Sequence, residues 1–87
     1  MYVTRQVVAE QLRAYLRGDL RLEEMVAWAK EVMAEGALPE EDLSVVRDVV
    51  ARLGVSDVPA FALTWEDLRQ MLARLGYRAQ VELEATV

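Results

Sequence analysis

The sequence predicts an all-α domain, a four-helix bundle followed by an extended C-terminal tail. Three observations carry that expectation. Apolar residues recur at helical spacing through four stretches of the chain. Each stretch runs into a glycine (Gly18, Gly36, Gly54 or Gly76), the residue that most readily takes the left-handed conformation closing a helix. The 87 residues suffice for one domain with a modest core, and 54% hydrophobic against 29% charged residues is a globular balance.

The first helix is expected over residues 5–17, with Thr4 as N-cap and Val8, Ala9, Leu12, Tyr15 and Leu16 sharing one face. The second is expected over residues 20–35. Asp19 would cap it, and Leu22, Met25, Val26, Ala29, Val32 and Met33 would be buried. The third, over residues 39–53, opens on Pro39, whose fixed φ and missing N–H suit the first helical position. Glu40, Glu41 and Asp42 then fall in the first turn, where the helix dipole favours negative charge. Its core face reads Leu43, Val45, Val46, Val49, Val50 and Leu53.

Residues 55–63, interrupted by Pro59, suit a turn and one helical twist, with Phe61 plugging the core. The fourth helix, over residues 65–75, has the clearest start. Thr64 and Asp67 form a capping-box pattern, Leu63 can staple onto Leu68, and Met71, Leu72 and Leu75 continue that face. The run Ala51-Arg52-Leu53-Gly54 is echoed by Ala73-Arg74-Leu75-Gly76, but two units fall short of a solenoid.

Residues 77–87 change period. Tyr77, Ala79, Val81, Leu83, Ala85 and Val87 alternate with polar residues, the pattern of a half-buried strand. Alanine, glutamine and glutamate form strands weakly, which leaves a helical or disordered tail as alternatives. A strand here needs a partner: residues 1–4, the same tail in a second copy, or another protein's sheet edge.

Composition narrows the chemistry. The chain has no histidine and no cysteine, which removes the commonest general base, thiolate nucleophiles, thiolate metal sites and disulfides. No glycine-rich phosphate loop occurs, and neighbouring carboxylates such as Glu23 and Glu24 diverge by about 100° on a helix. A catalytic role is therefore not expected, nor is a cofactor. Gly18, Leu20 and Glu24 match the second half of an EF-hand spacing, but Arg13, Tyr15 and Arg17 occupy the positions of the calcium oxygens, so no metal is expected. No apolar run approaches the roughly 20 residues of a membrane span, and no signal-peptide pattern opens the chain. The expected location is the cytoplasm. Isoleucine and asparagine are absent and Lys30 is the only lysine, which suits a bacterial thermophile or plain compositional bias.

The net charge of −5 opposes binding to nucleic acid. Charge is unevenly spread: residues 1–22 carry +2, residues 23–48 carry −6 and residues 49–87 carry −1. The acidic middle selects Glu24, Glu31, Glu35, Glu40, Glu41 and Asp42 as a docking face for a basic protein. Trp28 sits beside it, as an anchor or simply as the tryptophan that finishes the core. Glu31 and Glu35 are a like-charge i,i+4 pair whose repulsion a basic partner would relieve. The alternative function is self-assembly, a homodimer paired through Tyr77, Ala79, Val81 and Leu83.

The run Gly18-Asp19-Leu20-Arg21-Leu22-Glu23-Glu24-Met25-Val26-Ala27-Trp28 resembles a segment of small bacterial helical proteins that include the colicin-type immunity proteins. In these, a glycine, an apolar residue, an acidic helix start and a later tryptophan open the second helix. Thr64-Trp65-Glu66-Asp67-Leu68 suits the same pattern, and the likeness covers about half the chain. It departs at Arg21, where such segments carry Ser or Thr as a cap. The resemblance implies an acidic bundle that binds and neutralises a basic toxin domain, with the six acidic residues above and Trp28 at the matching positions.

Overall fold

A computed structural model describes residues 2–86, so the expectations for Met1 and Val87 lie outside the described residues. The fold is all-α, with α1 (Arg5–Leu16), α2 (Leu22–Glu35), α3 (Leu43–Leu53) and α4 (Trp65–Arg74), and a short 3-10 turn at Pro59–Phe61 between the last two. The closest pair is α2 with α3, and α1 packs against all three other helices. The core draws Val8 and Leu12 from α1, Met25, Ala29 and Val32 from α2, Val46, Val49, Val50 and Leu53 from α3, and Leu68, Met71 and Leu72 from α4.

Local chemistry sets the helix starts. Thr4 accepts a hydrogen bond on its hydroxyl from the Val7 N–H at 3.3 Å, closing the first turn of α1. At α4 the capping box is complete. The Thr64 Oγ1 accepts from the Asp67 N–H at 3.0 Å, and the Asp67 carboxylate accepts from the Thr64 N–H at 3.0 Å. That hydrogen bond from the Thr64 N–H holds the Asp67 carboxyl below its ordinary range, its hydrogen bond with the Thr64 side chain adds to the effect, and nearby Arg52 adds less. Leu63 packs against the core that Leu68 enters.

Two helix starts and the N-terminal arm differ from expectation. Helix α2 begins at Leu22, with Arg21 rather than Asp19 at the N-cap position. Asp19 lies 3.9 Å from Arg17, and the capping is done from inside the helix by Glu24, which accepts from the Arg21 N–H at 2.9 Å. Helix α3 begins at Leu43, not Pro39. Pro39 is buried in the connection, and Glu40, Glu41 and Asp42 precede the helix instead of forming its first turn. The reason is long-range: the Asp42 carboxylate reaches Arg5 on α1 at 3.2 Å and makes no cap hydrogen bond. The third difference lies at the N-terminal arm. Val3 is fully buried, its N–H donates to the Ala37 carbonyl at 2.8 Å, and Tyr2 forms a parallel bridge with Ala37. The arm thus pairs with the α2–α3 connection rather than with the tail.

The glycines are not equivalent. Gly18 and Gly76 have φ of +82° and +93°, the left-handed conformation expected after a helix. Gly36 does not (φ −74°), yet a Cβ there would sit 2.7 Å from the Val32 carbonyl oxygen, so close approach requires glycine. Gly54 is right-handed, and the Ala51–Gly54 and Ala73–Gly76 echo therefore joins two different backbone endings.

Several apolar residues sit outside the core that periodicity assigned to it. Leu16, Met33 and Leu43 are exposed, and Phe61 is 50% exposed instead of plugging the core. In that connection the buried residue is Ser56, whose hydroxyl donates to the Leu53 carbonyl at 2.7 Å. Arg52 holds the connection from outside, donating to the Phe61 carbonyl at 2.6 Å and lying 3.4 Å from Asp67. Residues 77–86 carry neither helix nor strand, which corrects the strand reading for this tail in the single chain. An unaccompanied strand has no ladder partner, and here none is supplied by residues 2–4.

Candidate functional site

Helix α2 carries Glu24, Trp28, Glu31 and Glu35 at the i, i+4, i+7, i+11 spacing of one face, and the connection to α3 adds Glu40, Glu41 and Asp42. The structure divides these seven residues by the work they already do. Glu24 is committed to the helix start, with its carboxylate also 3.3 Å from the Arg21 Nε. The backbone hydrogen bond from Arg21, and secondarily that side chain, hold the Glu24 carboxyl below its ordinary range. Asp42 is half-buried and paired with Arg5. Trp28 is half-buried and packs on the core, which is the core-finishing reading of that residue.

Glu31, Glu35, Glu40 and Glu41 remain. All four are exposed, and among the described residues none lies within 4.0 Å of a basic group. Of the other described acids, Glu10, Asp19, Glu24, Asp42, Asp48, Glu66 and Asp67 each have an arginine within that distance, while Glu23, Asp57, Glu82 and Glu84 do not. With Glu23 at the start of α2, the largest group of uncompensated carboxylates among the described residues lies on α2 and the connection after it, the others being the isolated Asp57 and the tail's Glu82 and Glu84. Such a patch attracts cations and basic surfaces over about a Debye length, roughly 8 Å at physiological ionic strength. It holds no metal-binding arrangement, since no three carboxylates converge for one among the described residues. Ser56, the buried hydroxyl, is spent on the Leu53 carbonyl. Among the described residues no helix is long and apolar enough to cross a membrane.

A second surface lies apart from the first. A groove of about 470 Å³ runs between α1, the start of α4 and the tail, walled by Leu16, Trp65, Leu72, Tyr77 and Val81, with Arg13, Arg17 and Arg78 along its rim. None of its walls belongs to α2 or α3. Of the four tail residues assigned to self-association, Tyr77, Val81 and Leu83 are exposed, Leu83 at 94%, while Ala79 is half-buried against the core. Sequence reasoning missed the groove's other wall. Leu16 falls within the apolar face of α1 on the helical wheel, but it is the last residue of the helix and is exposed. Periodicity reports the direction of a side chain and not what covers it. Trp65 is 43% exposed at the groove.

No protein-family model, no curated protein and no solved structure matches the chain.

Proposed function

We propose that the protein is a non-catalytic interaction module whose acidic face, built on Glu31, Glu35, Glu40 and Glu41, engages a basic protein in the manner of an immunity-type or antitoxin-like inhibitor. One observation carries this reading. These four exposed carboxylates are uncompensated and lie in succession along α2 and the connection after it, the longest such run among the described residues. Leaving like charge unpaired on one helix face weakens that helix slightly, and an oppositely charged partner removes the cost. Glu24, Asp42 and Trp28 act from beneath, fixing the start of α2, the connection to α1 and the packing that presents the face.

The test is capture of partners from a lysate of the source organism at low and high salt, followed by affinity measurement on the basic protein recovered. Changing Glu31, Glu35, Glu40 and Glu41 together to Gln leaves every ion pair described above in place, so the circular dichroism should be unchanged. Affinity at low salt should fall by about tenfold or more, chiefly through a slower association rate. Equal affinity of the Gln variant and the native chain, or binding indifferent to salt, would show the face is not the contact.

A further inference from the structure

We propose that the tail is a dimerisation strand, pairing antiparallel with the tail of a second copy and delivering Leu83 into that copy's groove. The inference is independent of the acidic face, because the groove and tail contain no residue of α2 or α3.

The backbone states the need. After the Tyr77 N–H, which donates to the Leu72 carbonyl, no backbone hydrogen bond is made by residues 78–86 among the described residues. A run of free N–H and C=O groups with alternating side chains is a template for another strand. Tyr77, Ala79, Val81, Leu83 and Ala85 form one face of such a strand, and Arg78, Gln80, Glu82 and Glu84 the other.

The charges select the occupant. With Val81 opposite Val81 of the second copy, Arg78 faces Glu84, Gln80 faces Glu82, Ala79 faces Leu83 and Tyr77 faces Ala85, each pairing made twice by symmetry. A parallel in-register pairing would set Arg78 against Arg78 and Glu82 against Glu82. Sliding the antiparallel pair so that Val81 faces Leu83 again opposes Glu82 to Glu82. Sliding it the other way keeps an opposite-charge pair, Arg78 with Glu82, but carries Glu84 opposite Gly76, whose φ of +93° ends the strand there, so the ribbon is shorter. The tail is thus complementary to itself when antiparallel, and the register with Val81 on Val81 is the longest that opposes no like charges.

The groove supplies the cover that a two-stranded ribbon lacks alone. Ala79 is the point where the tail rests on the core, and Val81 and Leu83 are 68% and 94% exposed as the tail leaves it. Antiparallel pairing brings Leu83 of the second copy beside Ala79, where Leu16, Trp65 and Tyr77 form an apolar wall with no apolar occupant. Each copy fills the other's groove.

Sedimentation equilibrium of the full chain tests this. The native protein should show a concentration-dependent mass of two chains, and Val81→Pro, which removes a strand N–H outside the core, should return one chain with unchanged helix content. Arg78→Glu should weaken the dimer by roughly tenfold or more, and Arg78→Glu combined with Glu84→Arg should restore it by exchanging the two partners. A native chain that stays monomeric to its solubility limit, a dimer indifferent to Val81→Pro, or a double variant as weak as Arg78→Glu would each overturn the proposal. A monomer whose tail is protected only by a sheet-containing protein would assign the strand to a different partner.

Discussion

Replacing Leu53 by Ala is expected to cost about 2–5 kcal/mol of unfolding free energy. Leu53 is fully buried at the end of α3, and its carbonyl also accepts the hydroxyl of buried Ser56 at 2.7 Å. The substitution removes three carbons from a site that the neighbouring α2 and α1 side chains cannot fully close, so a cavity adds to the lost transfer free energy. A domain of this size holds roughly 4–13 kcal/mol in total, and the variant should unfold at a markedly lower urea concentration with an unchanged slope. Phe61→Ala is the contrast. Although Phe61 is the larger side chain, it is half exposed, and its backbone carbonyl rather than its ring makes the contact with Arg52. Its loss should lie near the surface range of about 0.5 kcal/mol. A greater loss for Phe61→Ala than for Leu53→Ala would mean that the connection, and not the end of α3, is the core.

Replacing Val3 by Ala should cost about 2 kcal/mol, large for a residue so near a chain end. Val3 is completely buried and its N–H is bonded to Ala37 at 2.8 Å, so the arm is a fixed part of the core and a brace on the α2–α3 connection. The same brace positions Glu40 and Glu41 ahead of α3. Thermal unfolding should shift down by about 8–16 °C, taking 4–8 °C per kcal/mol for a domain of this length. Hydrogen exchange at the Val3 amide should accelerate together with that of the connection. If the melting temperature stayed within a degree or so, the arm would be ornamental.

What the sequence made legible was local chemistry. The capping box of Thr64 and Asp67 spans one turn and needs no partner from elsewhere, so spacing alone revealed it. The valines of α3 were read as helical from their period, and Val46, Val49 and Val50 are buried on one face. The start of α2 is a local miss, since Glu24 caps Arg21 from one turn ahead, but the larger failures are non-local. Pro39 and its three acids spell a helix start, but the ion pair between Asp42 and Arg5 joins residues far apart in the chain and leaves no trace in the local pattern. The bond from Val3 to Ala37 runs through backbone atoms, which carry no side-chain signature at all. The candidate site follows the same rule. Composition located the acidic segment, but only the fold separates Glu24 and Asp42, which are engaged, from Glu31, Glu35, Glu40 and Glu41, which are free of cations among the described residues.

The connection between α3 and α4 and the tail after α4 are both exposed and irregular, but they will meet a protease differently. The connection is stitched turn by turn, from the Ser56 N–H to Leu53, Val58 to Val55, Phe61 to Val58 and Ala62 to Pro59, and Arg52 ties its far end to the start of α4. To enter a protease cleft it must first give up those bonds, and that opening is uphill. In the single chain the tail has none to give up, so limited digestion at concentrations where the protein is monomeric should nick the chain first beyond Tyr77 and leave the four helices joined. Cleavage starting instead around Phe61 would mean that the stitching opens freely in solution.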